Sequence, residues 1–388
     1  MTLYALGDLH ISATIWDLFR AISGDSAFML SELKGLLSGD DDLVLCGDVF
    51  DSSEPGPTLT RMFREWAEDV TAAGNRLWAI QGNHDKRIVS WTDAVTSCVT
   101  YVGNGAPFSI AGIRCAALDY APRDTIARKL AELGTRKELP EILFLHQAVR
   151  QYLDIDGTWN CDLEWVPAGI PLVVLGDIHE PWGAPVRSSQ DVGFQYACYT
   201  GAGHTRSITE AKHGKSVLRI NSTSGTPRDI TRVPIRSRAI AAASLTAATL
   251  EKTREGVRGW VKHLASGNAQ ETAPASLLTP VIHLTYTDDV PSAPELLREA
   301  VADLGIEVII MPYPVVVRTT GTSRVDLAAA VAGIPGIPAL LEKSGLAKSQ
   351  QVASVVLDLI RPGKPAEIRG RLDVVRAQFF ADYDKAQA

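Results

Sequence analysis

Residues 3–10 read LYALGDLH, four apolar residues followed by Gly-Asp-Leu-His, and this stretch decides the fold class. The run from Leu3 to Leu6 has the length of a short buried strand, and Asp8 and His10 follow where that strand would end. Residues i and i+2 of an extended chain project to the same side, so Asp8 and His10 can approach a single ligand. Because ligands of open α/β sheets bind at the carboxyl ends of strands, the stretch predicts a binding site.

The same arrangement returns four more times along the chain. Short apolar runs are followed by GDVFD at residues 47–51, GNHD at 82–85, His146, and GDIH at 176–179. A turn, an N-cap or a core histidine would explain any one of these motifs alone. Five such motifs at successive strand ends instead favour one shared site.

The donor atoms in these motifs indicate divalent metal chemistry. Carboxylate oxygens, imidazole nitrogens and an amide oxygen suit borderline-hard divalent ions. The five cysteines contain no CxxC pair, which disfavours a thiolate zinc or iron–sulfur site. Manganese is the leading candidate, and magnesium is the alternative.

The 388 residues exceed one typical domain and predict three regions. Apolar runs alternate with helix-like stretches over the first half of the chain, which indicates an α/β domain over residues 1–235. A small α/β domain is expected over 236–322, and a helical region over 323–388.

Several local elements can also be predicted. The segments QYACYT (195–200) and KSVLRIN (215–221) are typical of a β-hairpin, followed by a Gly/Pro/Ser/Thr-rich loop at 221–228. A helix is expected over 244–264, at the start of the small domain.

Charge and hydropathy exclude some functions. A net charge of −7 opposes a protein that coats nucleic acid through bulk positive charge, so DNA contacts must be local. No apolar run approaches the about 20 residues of a membrane span, and the first residues show no signal-peptide pattern. A cytoplasmic protein without a membrane partner is expected.

The motifs GDLH, GDVFD, GNHD, the strand-end His146 and GDIH together resemble the calcineurin-like metallophosphoesterases. The resemblance covers roughly the first 205 residues and implies a four-layer α/β/β/α sandwich. It also implies two divalent metal ions and a catalytic histidine, His84, beside the phosphate. The implied ligands are Asp8, His10 and His179 for one metal, Asn83, His146 and Asp177 for the other, and Asp48 between them.

Within that superfamily the chain resembles the SbcD group of DNA-repair nuclease subunits, through GDLHIS, GDVFD, YTGAGHTR and the order of domains. This resemblance implies DNA as substrate and an SbcC-like ATPase as partner. The chain carries no GxxxxGK[ST] motif of its own, so any ATP dependence must come from the partner. The group usually has GHIH where this chain has GDIH, which puts the role of Asp177 in doubt. A carboxylate there would favour harder metals.

Other residues allow two interpretations each. Arg206 and His204, within GAGHTR, are candidates for contact with a substrate phosphate, although loop arginines are usually solvated. A local basic run could follow a nucleic-acid backbone or be an exposed domain connection. An apolar stripe near the end could pack within the chain or dock on the ATPase. The basic run is Arg228, Arg232, Arg236 and Arg238, and the stripe is Ile368, Leu372, Val375 and Phe379.

The expected function is therefore a metal-dependent DNA nuclease, acting as an exonuclease, an endonuclease or both, in repair, recombination or replication. One alternative is a phosphoesterase acting on nucleotides, cyclic diesters or phosphoproteins. Another is a DNA-binding scaffold with a degenerate metal site. A homodimer is left open.

Overall fold

The computed structural model describes residues 2–13, 22–85, 97–153, 158–189, 193–206, 208–223, 226–266, 272–287 and 289–315. These residues all belong to one compact unit, Met1–Val317. The expected helical region at 323–388, with its apolar stripe, lies outside the described residues. In the described part of the chain, no helix combines the length and the apolar character needed to cross a membrane.

The first sheet has six strands in the order β12-β11-β1-β2-β3-β4. Its strands β1 to β4 run parallel to one another, whereas β11 is antiparallel to both β1 and β12. The strands are β1 (Leu3–Leu6), β2 (Asp42–Cys46), β3 (Arg76–Ile80), β4 (Val99–Tyr101), β11 (Lys215–Thr223) and β12 (Thr226–Ile235).

The second sheet also has six strands, in the order β5-β6-β7-β8-β10-β9. Its four central strands are parallel, and the two edge strands are antiparallel to their neighbours. The strands are β5 (Phe108–Ile110), β6 (Ile113–Leu118), β7 (Ile142–His146), β8 (Leu172–Gly176), β9 (Trp182–Ser189) and β10 (Gly193–Tyr199).

The two sheets pack face to face with helices on both outer sides. Side chains alternate along β1, so Leu3 and Ala5 enter the core between the sheets, where Phe144 of β7 also lies. Tyr4 and Leu6 face the other way, into the core beneath the first two helices. This confirms the expected α/β/β/α sandwich. The helices are α1 (Asp25–Leu36), α2 (Pro57–Ala72), α3 (Arg123–Gly134) and the short α4 (Arg150–Leu153).

A third, smaller sheet follows, with three parallel strands in the order β13-β14-β15. Two helices pack against it around a separate apolar core. Pro312 and Pro314 lie in β15, where an edge position tolerates the missing N–H groups. The division at 235/236 and 322/323 stays a prediction. The elements are β13 (Ile240–Leu245), β14 (Val281–Thr287), β15 (Ile309–Val315), α5 (Leu250–Ala265) and α6 (Ala293–Val301).

Two local predictions were wrong, and one helix begins later than expected. Strands β10 and β11 do not form a hairpin, because β10 pairs within the second sheet while β11 crosses over and pairs with β1. The expected loop at 221–228 is mostly strand, since β11 and β12 form the hairpin there instead. The helix expected over 244–264 is confirmed as α5 but begins only at Leu250, because pairing with β14 makes Ile240–Leu245 a strand.

Candidate metal centre

The loops that carry the predicted site residues meet where the two sheets contact each other. They follow β1, β2 and β3 of the first sheet and β7 and β8 of the second. Backbone hydrogen bonds join the first two loops: the Asp8 amide donates to the Gly47 carbonyl at 3.0 Å, and the His10 amide donates to the Asp48 carbonyl at 2.9 Å. The two loops therefore position their side chains as a unit.

The backbone at these loops is unusual. Six non-glycine residues in the described part of the chain have positive φ, and four of them are predicted ligands. Such a conformation costs about 1–3 kcal/mol per residue and persists where the surroundings impose it, often at functional sites. The four are Asp8 (54°), His10 (42°), Asp48 (50°) and Asp177 (93°).

The glycines before the polar residues are required by close packing. A Cβ atom on Gly82 would lie 2.0 Å from Asp48 Oδ1, and one on Gly47 would lie 2.3 Å from His146 Nδ1. Gly176 is equally confined. The recurrent Gly-Asp and Gly-Asn pairs therefore let backbone and ligand side chains approach within contact distance.

Asp8, His10 and His179 form the first donor group. His10 Nε2 and His179 Nε2 lie 3.0 Å apart, and Asp8 Oδ1 lies 3.8 Å from the first and 3.7 Å from the second. Burial raises the pKa of Asp8 to about 7, against the opposing effect of nearby histidines. Three donor atoms around one point suit a single cation.

His146 and its neighbours form the second donor group. Its Nδ1 lies 2.7 Å from the Cys46 carbonyl oxygen, which can only accept, so Nδ1 is the donor. Its Nε2 faces three oxygens: Asn83 Oδ1 at 3.1 Å, Asp48 Oδ2 at 3.5 Å and Asp177 Oδ1 at 3.8 Å. A cation among these atoms would be coordinated by all four.

Asp48 lies between the two groups. Its Oδ2 is 3.7 Å from His10 Nε2 and 3.5 Å from His146 Nε2, while its Oδ1 accepts a hydrogen bond from the His84 amide at 2.9 Å. Burial would raise the pKa of this carboxyl, but the His146 and His10 rings outweigh it and lower the pKa. One carboxylate oxygen can thus face two cations.

His84 lies at the exposed side of the centre. Its side chain is 39% exposed, its Nδ1 is 2.8 Å from the Asp51 carbonyl oxygen, and its Nε2 is 4.0 Å from Asp48 Oδ2. The neighbouring Asp85 is buried and accepts hydrogen bonds from the amides of Val49, Phe50 and Gly82. Asp85 therefore organises the loops, while the side chain of His84 stays partly exposed.

Asp177 lies beside the second group. Its backbone amide donates to Asp8 Oδ2 at 3.0 Å, and its carboxylate approaches His146 as described above. Burial raises the pKa of Asp177, with the Asp48 charge adding to the effect. The residue that departs from the SbcD pattern is thus within reach of the same cation.

Sequence patterns gave no indication of Glu210. It lies in a 3-10 helix, Ile208–Lys212, and its Oε1 is 2.9 Å from His179 Nδ1. Burial would raise the pKa of Glu210, but its hydrogen bond and charge interaction with His179 bring the pKa to about 2. A lone glutamate 31 positions from its histidine carries no motif that could reveal this contact.

The two residues expected to contact a substrate phosphate differ in placement. Arg206 is partly exposed, and its Nη2 lies 2.5 Å from Asp51 Oδ1, which in turn lies 3.4 Å from His10 Nδ1. His204 is only 2% exposed, and its Nε2 lies 2.8 Å from the Leu9 carbonyl oxygen. The fold therefore brings Arg206 to the centre but buries His204 behind it, and this placement gives no support to a substrate contact by His204.

The basic run mainly makes contacts within the chain. Arg238 is buried and pairs with Asp25 at 2.7 Å, and Arg236 pairs with Glu32 at 2.7 Å. Arg232 donates to backbone carbonyl oxygens, including that of Thr200 at 3.0 Å. The side chain of Arg228 lies outside the described residues. These contacts explain the run as structural.

Comparison with known proteins agrees with the geometry. Residues 1–181 match the family model of the calcineurin-like phosphoesterases. The curated DNA double-strand break repair protein Mre11 of Saccharolobus solfataricus is 29% identical over 166 residues, which are 39% of this chain and 41% of that protein. The match thus spans about two fifths of that relative. Residues 1–181 of the chain therefore form a calcineurin-like metallophosphoesterase domain.

Proposed function

We propose that this chain is an SbcD-like nuclease subunit that hydrolyses phosphodiester bonds of DNA in repair, recombination or replication. The similarity to a double-strand break repair protein supports a DNA substrate. The proposal includes an SbcC-like ATPase as partner and a cytoplasmic location. Exonuclease and endonuclease action both belong to it, and a homodimer stays open.

One observation carries the proposal: Asp48 Oδ2 faces both donor groups, within 3.7 Å of His10 Nε2 and 3.5 Å of His146 Nε2. We assign Asp8, His10 and His179 to one divalent metal, and Asn83, His146 and Asp177 to the other, with Asp48 shared. The mixed oxygen and nitrogen donors fit Mn²⁺, with Mg²⁺ as the alternative.

The residues assigned above would hold two dications, and these would supply the means to bind a phosphodiester, activate water and stabilise the attacking and leaving oxygens. The protein supplies His84. Because Nδ1 of His84 donates to the Asp51 carbonyl oxygen, the exposed Nε2 is the atom that faces a substrate. When the ring is protonated, Nε2 donates to the leaving oxygen or stabilises phosphate charge.

A second candidate is hydrolysis of smaller phosphate esters such as nucleotides or cyclic diesters, or of phosphoproteins. The contacts of the basic run favour this candidate over DNA, because Arg232, Arg236 and Arg238 bind groups within the chain. A DNA-binding scaffold with a degenerate centre is disfavoured, because Asp177 Oδ1 lies 3.8 Å from His146 Nε2, alongside the other predicted ligands.

Nuclease assays with Mn²⁺ on linear and hairpin DNA, beside a chromogenic phosphodiester, test these functions. We expect cleavage of DNA by the wild type, and a loss of about 10²- to 10⁴-fold in His84→Gln with metal binding retained. His263→Gln, an exposed histidine on α5, is the matched control. Cleavage of the small ester alone would favour the second candidate. Cleavage of neither substrate would favour the scaffold. Full activity of His84→Gln would contradict the role assigned to His84.

A further inference from the structure

We propose that Glu210 is a positioning residue, which orients the His179 imidazole so that its Nε2 presents a lone pair to the first donor group. The inference rests on the proposed metal centre and deepens it. Glu210 Oε1 lies 2.9 Å from His179 Nδ1, and His179 Nε2 points to His10 Nε2 and Asp8 Oδ1. The two nitrogens of one ring thus face a carboxylate on one side and the metal group on the other.

The hydrogen bond between His179 and Glu210 can have only one direction. A carboxylate can only accept, so His179 Nδ1 carries the proton and Nε2 is left to coordinate. A carboxylate behind a metal-bound imidazole orients the ring and makes it a stronger ligand, and loss of such a partner typically weakens metal affinity about 10- to 100-fold.

The other oxygen of Glu210 is fixed as well. Oε2 accepts from the Arg206 amide at 3.1 Å and from Lys215 Nζ at 3.3 Å. The Lys215 side chain is 2% exposed and begins β11, the strand that pairs with β1. The Glu210 carboxylate is therefore held from two sides. It connects His179, in the loop after β8 of the second sheet, with Lys215 of β11 in the first sheet.

The histidine of the second donor group has a backbone carbonyl behind it instead of a carboxylate. His146 Nδ1 donates to the Cys46 backbone carbonyl, a neutral acceptor, at 2.7 Å. Removing the Glu210 charge should therefore weaken the metal held by Asp8, His10 and His179 and spare the other. A residue with a merely structural role would affect both metals or neither.

A titration of the protein with Mn²⁺, monitored by calorimetry, tests the inference. Glu210→Gln keeps the shape but has one acceptor and one donor, so it cannot serve His179 on one side and Arg206 with Lys215 on the other. We expect two Mn²⁺ ions in the wild type, one of which binds about 10- to 100-fold more weakly in Glu210→Gln. Glu180→Gln is the control, because it removes the same charge beside His179 but contacts Tyr152 and His213.

A double-mutant cycle identifies the affected metal. Glu210→Gln should weaken Mn²⁺ binding in a His146→Ala background and leave it unchanged in a His179→Ala background. Unchanged binding of both metals in Glu210→Gln, or equal weakening of both, would overturn the inference while the proposed function stands. A wild type that binds neither Mn²⁺ nor Mg²⁺ would overturn both.

A second measurement does not depend on any variant folding. The ¹⁵N chemical shifts of His179 in the metal-free wild type should show a protonated Nδ1. An unprotonated Nδ1 would contradict the orientation by Glu210.

Discussion

Four predicted ligands, Asp8, His10, Asp48 and Asp177, have a backbone conformation that L-residues rarely adopt. Each follows a strand closely, and the turn redirects the side chain toward the other loops. The neighbouring glycines make the turns possible, because any Cβ at Gly47 or Gly82 would overlap a ligand side chain. At the scale of single residues, the strained backbone of these four residues and the neighbouring glycines bring the donor side chains together.

The prediction for Gly82→Ala follows from this packing. The new Cβ would lie 2.0 Å from Asp48 Oδ1, so the variant should lose about 1–3 kcal/mol of unfolding free energy and bind Mn²⁺ more weakly. Gly35→Ala, on α1 with no atom within 4 Å, should instead gain about 0.5–1 kcal/mol. Urea denaturation and metal titration measure both, and wild-type stability in Gly82→Ala would contradict the close contact.

Asp177 should influence which metal the centre prefers. With Asp8 and Asp48 it would bring three carboxylates to the two proposed dications, which would leave a formal charge of about +1 and favour hard ions. Replacing Asp177 with His should therefore shift activity and affinity toward Mn²⁺ relative to Mg²⁺. Parallel titrations of both ions in wild type and Asp177→His decide this, and identical profiles would refute it.

At the scale of elements, the connection from β10 to β11 determines where Arg206 and Glu210 lie. Strand β10 belongs to the second sheet and β11 to the first, so the connection runs across the carboxyl ends of the central strands. It carries Arg206 and Glu210 to the back of the first donor group. A hairpin at this point would have left His179 without its carboxylate partner.

The start of α1 is joined to the approach to β13 by a buried ion pair. Arg238 Nη2 lies 2.7 Å from Asp25 Oδ2, and both side chains are 2% exposed. Asp25→Asn leaves the buried guanidinium uncompensated and should cost about 3–5 kcal/mol of stability. Glu32→Gln, which breaks the more exposed pair with Arg236, should cost less than about 1 kcal/mol. Equal losses in urea denaturation would contradict the importance of burial.

At the scale of the whole molecule, the centre joins the two sheets. Asp8, Asp48 and Asn83 follow strands of the first sheet, whereas His146 and Asp177 belong to strand ends of the second. Shared ligands would therefore link the two layers of the sandwich, in addition to the apolar core between them. Metal binding and folding should be coupled for this reason.

Adding Mn²⁺ should accordingly stabilise the protein. At a free concentration 100 times the dissociation constant, the expected gain is about 2.7 kcal/mol per site. Asp48→Asn should lose most of this gain, whereas Asp69→Asn, an exposed carboxylate on α2, should keep it. Urea denaturation with Mn²⁺ and with a chelator measures the difference, and an equal gain in both variants would exclude a shared role for Asp48.

Much of the centre can be located by reading along the chain. Apolar runs ending in Gly-Asp or Gly-Asn are local patterns, and they predicted the central strands, the side of the sheet and the donor types. The approach of Asp8, His10 and Asp48 to one another follows from parallel strands that end at one edge.

Other features depend on the packing of the whole chain. The pairing of β11 with β1, the strand at Ile240–Leu245, the burial of His204 and the contact of Glu210 with His179 could not be predicted locally. Each depends on which distant segment lies alongside, and pairing or burial then outweighs local preference. Residue types and their order thus specify the chemistry of the centre, while the meeting of two sheets decides which side chains support it.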